Sequence, residues 1–280
     1  MERLKEIERS IIKQYRKPIW KKFIDAINEY KLIEEGDKIA VCISGGKDSM
    51  ILAKCMQELQ RHGKFHFDIV YLMMDPGYNE INRQKNKENC EILGLDVNVF
   101  TTEIFDTVVN IENNPCYLCA RMRRGYLYKN AQKLGCNKIA LGHHFDDVIE
   151  TILMSMLYGG QIQTMMPKLH STNHPGMELI RPLYYVKEAD IIKWCKHNDL
   201  DFIQCACRFT EAYTNSHDGV GDSKRQEMKK LVEHFRKVHD PIEMNIFRSM
   251  YNVNLNTVIE YQKDGKRINF LDNYDERKVK

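Results

Sequence analysis

The chain has 280 residues, 43% of them hydrophobic and 29% charged, with a formal net charge of +3. That length permits one large domain or two modest ones, and no apolar run approaches the roughly 18 residues of a membrane-spanning helix. The total charge is too small to argue for nucleic acid, and the charged start "MERLKEIERSIIKQYRKPIW" lacks the apolar stretch of a secretory signal, so a cytoplasmic protein with reduced thiols and no membrane contact is expected.

Leu4, Ile7, Ile11, Ile12 and Tyr15 recur at helical spacing, break near Pro18 and resume in "WKKFIDAINEY", which predicts two helices in an N-terminal segment, 1–35. From Lys38 the pattern changes to short apolar or β-branched runs, "KIAVCIS", "FDIVYLMM", "DVNVFTT" and "KIALGHH", read as strands. Helical patterns lie between them near 48–62, 79–94, 119–134 and 146–158. Continuously apolar strands, each followed by an amphipathic helix, predict a doubly wound α/β domain with a parallel sheet over 36–205. The loop "LHSTNHPGME" interrupts the alternation before the helix "KEADIIKWCKHNDL". Residues 206–280 are read as a helical C-terminal extension whose polar tail, about twenty residues long, is expected to lack order.

"VCISGGKDSM" places Ser44, Gly45, Gly46, Lys47, Asp48 and Ser49 between the first strand and its helix. In an open parallel sheet ligands settle at such carboxyl ends. Two glycines let successive amides face one point, the helix adds its positive end, and the lysine and serines add charge and hydroxyls, which together seat phosphate oxygens. A tight turn needs no such polar set, and the GxxxxGK[ST] spacing of a Walker loop is absent. "LGHHFDDVIETIL" repeats the arrangement: Gly142, His143 and His144 are read as the end of the fourth strand, and Asp146 and Asp147 as opening a helix, although the aspartates also suit a plain helix cap and first-turn acids. Arg181 in "IRPL", an arginine before a proline, suits a structural ion-pair partner.

SGGKDS and GHHxDD resemble the PP-loop ATP pyrophosphatases. That resemblance implies a loop cradling the β- and γ-phosphates of ATP, cleavage between the α- and β-phosphates, and adenylylation of a substrate oxygen. It assigns Mg²⁺ to Asp48, the neighbourhood of the α-phosphate to His143, His144, Asp146 and Asp147, and a phosphate contact to Arg181.

Of the nine cysteines, Cys42, Cys55, Cys90, Cys136 and Cys195 stand singly and are expected to be small buried hydrophobes. Cys116, Cys119, Cys205 and Cys207 are clustered, a spacing that suits metal or redox chemistry, including a closed four-cysteine zinc site. Arg121, Arg123, Arg124, Lys129, Lys133 and Lys138 then follow with no acid among them, a field for a polyanion or a solvated helix face. If a helix opens at Cys119, then Arg121, Arg124 and Tyr128 share one face.

"NPCYLCARMRRGYLYKNAQKLG", "ILMSMLYGG", "MMPKL" and "RQEMKKLVEHFRKVHDPIEMNIFRSMYNV" are similar to the tRNA 2-thiocytidine synthetase family, over roughly residues 36–254. The resemblance implies a [4Fe-4S] cluster held by three cysteines with one iron free of protein ligand. Cys116 and Cys119 match two of them. The third matches Cys205, although the family's PCxxC is here "IQCACRFTEAY", and Cys207 is expected as an accessory or persulfide-carrying thiol. The implied reaction uses Lys47, Asp48 and Cys207 to adenylylate the C2 oxygen of a tRNA cytidine and replace it with sulfur, with Arg121, Arg124 and Tyr128 contacting the tRNA. The expected partners are tRNA, a sulfur donor such as a cysteine desulfurase, and a second copy of the chain. Thiolation of uridine, lysidine formation, and a non-catalytic ATP-binding iron–sulfur sensor are the competing readings.

Overall fold

The computed structural model describes residues 2–63, 65–104, 115–203, 224–239 and 241–274. The N-terminal segment forms α1 (Glu2–Ile12), a π-helical turn (Arg16–Lys21) that contains Pro18, and α2 (Lys22–Tyr30). Ile7, Ile11, Ile19, Phe23 and Ile27 are the apolar stripe of this segment, and all five join the same buried cluster as Ile39, Ile51 and Trp194 of the rest of the chain. Trp194 further donates from Nε1 to Ser10 Oγ at 3.0 Å.

A six-stranded sheet follows, in which β1 (Lys38–Ile43) is central. On one side lie β2 (Asp68–Asp75) and then β3 (Val97–Thr101); on the other lie β4 (Lys138–Ala140), β6 (Glu178–Ile180) and, outermost, β5 (Lys168–His170). All pairings are parallel except β5 with β6. Ile39 to Ile43 are buried without interruption, as a strand covered on both faces must be. The connecting helices are α3 (Lys47–His62), α4 (Glu80–Leu93), α5 (Pro115–Lys133), α6 (Phe145–Leu157) and α7 (Glu188–His197). The chain runs outward from β1 to β3, then returns to place β4 on the other side of β1. The carboxyl ends of β1 and β4 therefore flank the topological switch point, where such sheets bind ligands.

Beyond the sheet, α8 (Lys224–Val238) and α9 (Ile242–Ser249) pack Met228, Val232 and Phe247 against Val148, Ile149 and Ile152 of α6. Four elements depart from the sequence reading. The β5–β6 hairpin occupies the stretch read as a loop, because three-residue strands are too short to show periodicity. The fourth strand ends at Ala140, so the glycine and histidines that follow leave the sheet. Helix α5 opens at Pro115 instead of Cys119, proline being well suited to a first helical turn. The tail expected to lack order contains an antiparallel hairpin, β7 (Glu260–Lys263) and β8 (Lys266–Asn269). Its turn is Asp264-Gly265, with φ of 52° and 76°, the favoured two-residue connection. No helix among the described residues is long and apolar enough to cross a membrane.

Candidate nucleotide site

The loop after β1 owes its shape to its own small side chains. Gly45 has φ 84°, a conformation natural to glycine, and a Cβ there would stand 2.1 Å from Asn86 Oδ1. Ser49 Oγ accepts from Ser44 N at 3.1 Å and donates to Gly46 O at 2.9 Å, closing the loop on the first turn of α3. Gly46 stands at the N-cap with no side-chain bond to the helix, which leaves the first α3 amides to an anion. Lys47 Nζ lies 3.1 Å from Asp48 Oδ2 and 2.9 Å from Glu188 Oε1.

Asp48 Oδ1 is buried and accepts no hydrogen bond, with His144 Nε2 at 3.7 Å. Burial raises this carboxyl from its usual range, against the opposing charges of His144 and Lys47. Among the described residues no three His, Cys, Asp or Glu side chains form a metal-ligating group. A Mg²⁺ that arrives on phosphates needs only one or two carboxylates, and the unsatisfied Asp48 oxygen fits that demand.

The second turn is joined to the first by backbone contact. A Cβ on Gly142 would stand 2.9 Å from the Asp48 carbonyl carbon and 3.0 Å from Ser49 N, so only glycine lets the segment after β4 pass the first turn of α3. Asp147 Oδ2 accepts from His144 N at 2.9 Å, and its Oδ1 accepts from Arg225 at 2.8 Å. Burial opposes its ionisation, yet His144 and Arg225 hold the Asp147 carboxyl below the usual range. Asp146 turns away, its carboxylate accepting from Glu188 N at 2.7 Å and from Arg236. Arg181 donates from Nε to His143 Nδ1 and from its guanidinium to the Met166 carbonyl.

A cavity of about 300 Å³ lies between the two turns. Ser44, Asp48, Ser49, Gly142, His143 and Asp147 line it, joined by Met74 and Tyr78 after β2 and by Arg123 and Leu127 from α5. A second cavity, of about 470 Å³, lies behind the loop, against Gly46, Lys47, Glu188, Cys195 and Ile203.

Helix α5 carries Cys116 in its first turn and Cys119 one turn further on. Cys119 is half-buried beside Met74 and Met122, and Arg123 and Leu127 follow it at spacings of four along the face that meets the cavity. Cys205 and Cys207 lie outside the described residues, but Ile203, just before them, is packed close to Gly45. The five single cysteines are buried as expected. Arg121 and Arg124 are exposed, whereas Tyr128 is 4% exposed and stacks on His174 at 4.9 Å. The face they were expected to share is open at Arg121 but covered at Tyr128 by Met177 and Leu179 of the β6 region.

Sequence reasoning missed Arg123 as a lining residue and missed Glu188, Arg225, Lys229 and Arg236 altogether. Arg225 and Lys229 stand one turn apart, a pattern no different from an ordinary charged helix face.

A phosphate-cradling loop, an opposed acidic turn and a cavity at the switch point of a parallel sheet define a nucleotide-binding α/β protein of the PP-loop class. Residues 15–216 match the model of a family described as a PP-loop domain. The tRNA-cytidine(32) 2-sulfurtransferase of Coxiella burnetii is 34% identical over 265 residues, covering 92% of this chain and 95% of that protein. The enzyme of the same name from Geobacter sulfurreducens is 34% identical over 232 residues, covering 81% and 86%, and that from Neisseria meningitidis is 41% identical over 187 residues, covering 65% and 57%. The solved U34-tRNA thiolase NcsA from Methanococcus maripaludis, with its [4Fe-4S] cluster, shares the fold at a TM-score of 0.63 and 19% identity, over 82% of this chain and 76% of that one. The chain belongs to the tRNA-cytidine(32) 2-sulfurtransferase family.

Proposed function

We propose that the protein is an ATP- and Mg²⁺-dependent tRNA thiolase that adenylylates the C2 oxygen of a cytidine and exchanges that oxygen for sulfur, releasing AMP. The observation that carries this reading is that the helix opening with Cys116 and Cys119 borders the nucleotide cavity through Arg123 and Leu127. Activation and sulfur exchange can thus meet on one nucleoside.

The α3 amides and Lys47 hold the β- and γ-phosphates and stabilise the departing pyrophosphate, as fixed donors do for developing charge. Asp48 receives Mg²⁺, which neutralises phosphate charge. His143, kept neutral with its proton on Nε2, donates to the α-phosphate side, while Arg181 holds the ring in place. Cys116 and Cys119, one turn apart, suit a thiolate-ligated [4Fe-4S] cluster, with Cys205 as third ligand and Cys207 as an accessory thiol. That cluster, when bound, supplies the sulfur. Arg121 and Arg124 face the tRNA phosphates, and a tRNA loop offers the unpaired base. A desulfurase-type sulfur donor, a second copy of the chain and a cytoplasmic location belong to the same reading.

Mass spectrometry of tRNA nucleosides from a strain lacking the gene tests it. Loss of 2-thiocytidine alone is expected; loss of 2-thiouridine or lysidine instead would replace the substrate assignment. ATP binding without tRNA-dependent pyrophosphate release would make the protein a sensor. A colourless, zinc-containing protein after anaerobic purification would remove the cluster.

A further inference from the structure

Glu188, at the start of α7, is shared by two lysines. Its Oε1 lies 2.9 Å from Lys47 Nζ, and its Oε2 lies 2.8 Å from Lys229 Nζ on α8. Lys47 belongs to the phosphate loop, so Lys229 is held one carboxylate away from it. Lys47 also lies 3.1 Å from Asp48 Oδ2, so its ammonium has a second carboxylate when Glu188 lets go, and Lys47, Asp48 and Glu188 all line the 470 Å³ cavity beside Gly46.

The simpler account makes the Lys229–Glu188 pair a fastening for α8. The helix is fastened without it: Met228 and Val232 are each 4% exposed within the apolar cluster of α6, and Arg236 pairs with Asp146 and Glu243. The Lys229 side chain is 46% exposed, and ion pairs so placed contribute little to stability. Its position is better explained by what it faces. A carboxylate gripping two ammoniums makes charge-assisted hydrogen bonds of the kind that a phosphate group offers the same two lysines.

We propose that Lys229 is a second phosphate-binding lysine of this site, and that Glu188 yields Lys47 and Lys229 to the pyrophosphate end of ATP when the nucleotide enters. The C-terminal helix is thereby part of the nucleotide site. This rests on the ATP reading above and adds a ligand to it.

The test is equilibrium binding of ATP, AMP and inorganic pyrophosphate to the full chain and to Lys229→Met and Glu188→Gln variants. Loss of one charge-assisted contact is expected to weaken ATP and pyrophosphate about tenfold in Lys229→Met while leaving AMP and the thermal midpoint unchanged. Glu188→Gln removes the competitor and is expected to tighten pyrophosphate. Unchanged ATP affinity in Lys229→Met, or equal weakening of ATP and AMP, overturns the proposal. Should Lys229→Met not fold, absence of any gain in Glu188→Gln overturns it. A wild-type chain that binds neither ATP nor pyrophosphate overturns the ATP reading itself, a different result from wild-type binding with indifferent variants.

Discussion

Arg181 Nε donates to His143 Nδ1 across 3.3 Å, with Arg181 only 6% exposed. Arginine cannot accept, so this contact makes Nδ1 the acceptor and leaves the ring proton on Nε2. Burial first, and then the Arg181 charge, push the His143 ring down to about 4. Imidazole NMR is expected to show one histidine that stays neutral through the range where ordinary histidines titrate, and Arg181→Ala is expected to move it upward. An ordinary titration in the wild type would remove the neutral donor from the mechanism. The same shift carries a stability sign: the unfolded ring takes its proton first, so this contribution falls as pH drops from about 6.5 towards about 4.

Glu150 pulls the other way. Burial raises its carboxyl to about 7, helped by Asp147 and opposed by Arg225. A raised acid is more easily ionised when unfolded, so its contribution is full below the ordinary value of 4.5 and is lost as pH rises through about 7. Glu150→Gln is therefore expected to raise the thermal midpoint above pH 7 relative to the wild type, with the gap closing under acid conditions. A gap independent of pH would contradict the assignment.

The approach of Gly142 to the Asp48 backbone predicts a cost that side-chain repacking cannot relieve. Gly142→Ala is expected to destabilise by roughly 1–3 kcal/mol and to weaken ATP binding by displacing Asp48. Gly125, in α5, has nothing within 4 Å of its would-be Cβ, so Gly125→Ala is expected to gain about 0.5–1 kcal/mol. Denaturant unfolding with an ATP titration checks both, and a silent Gly142→Ala would refute the close approach.

Arg121 and Arg124 are exposed on the helix that borders the cavity. Replacing both by Glu is expected to weaken tRNA binding and to reduce the salt slope by about one per lost phosphate contact, while ATP binding survives. Filter binding across a salt series measures it, and an unchanged slope would move the tRNA to another surface. Tyr128→Phe is expected to leave tRNA affinity unchanged, because its ring is packed against His174.

Much of the site was legible because its chemistry is local. A glycine pair followed by Lys47 and Asp48 must form its cradle within a few residues, and Asp146 and Asp147 open a helix by the same short-range rules. The short β5–β6 hairpin was not legible, since three residues carry no period. The Asp264-Gly265 turn did carry a signal, masked by the polarity of its strands.

The order of its residues alone determined a glycine turn after the first strand and paired cysteines at the start of a basic helix, because both depend on spacing within single turns. Tertiary structure decided which charges meet. Asp146 supports α7, Asp147 faces the cavity, Tyr128 is covered, and α8 brings Arg225 and Lys229 to acids 78 and 41 residues away. Such pairings depend on where helices pack across the sheet, which no local pattern encodes.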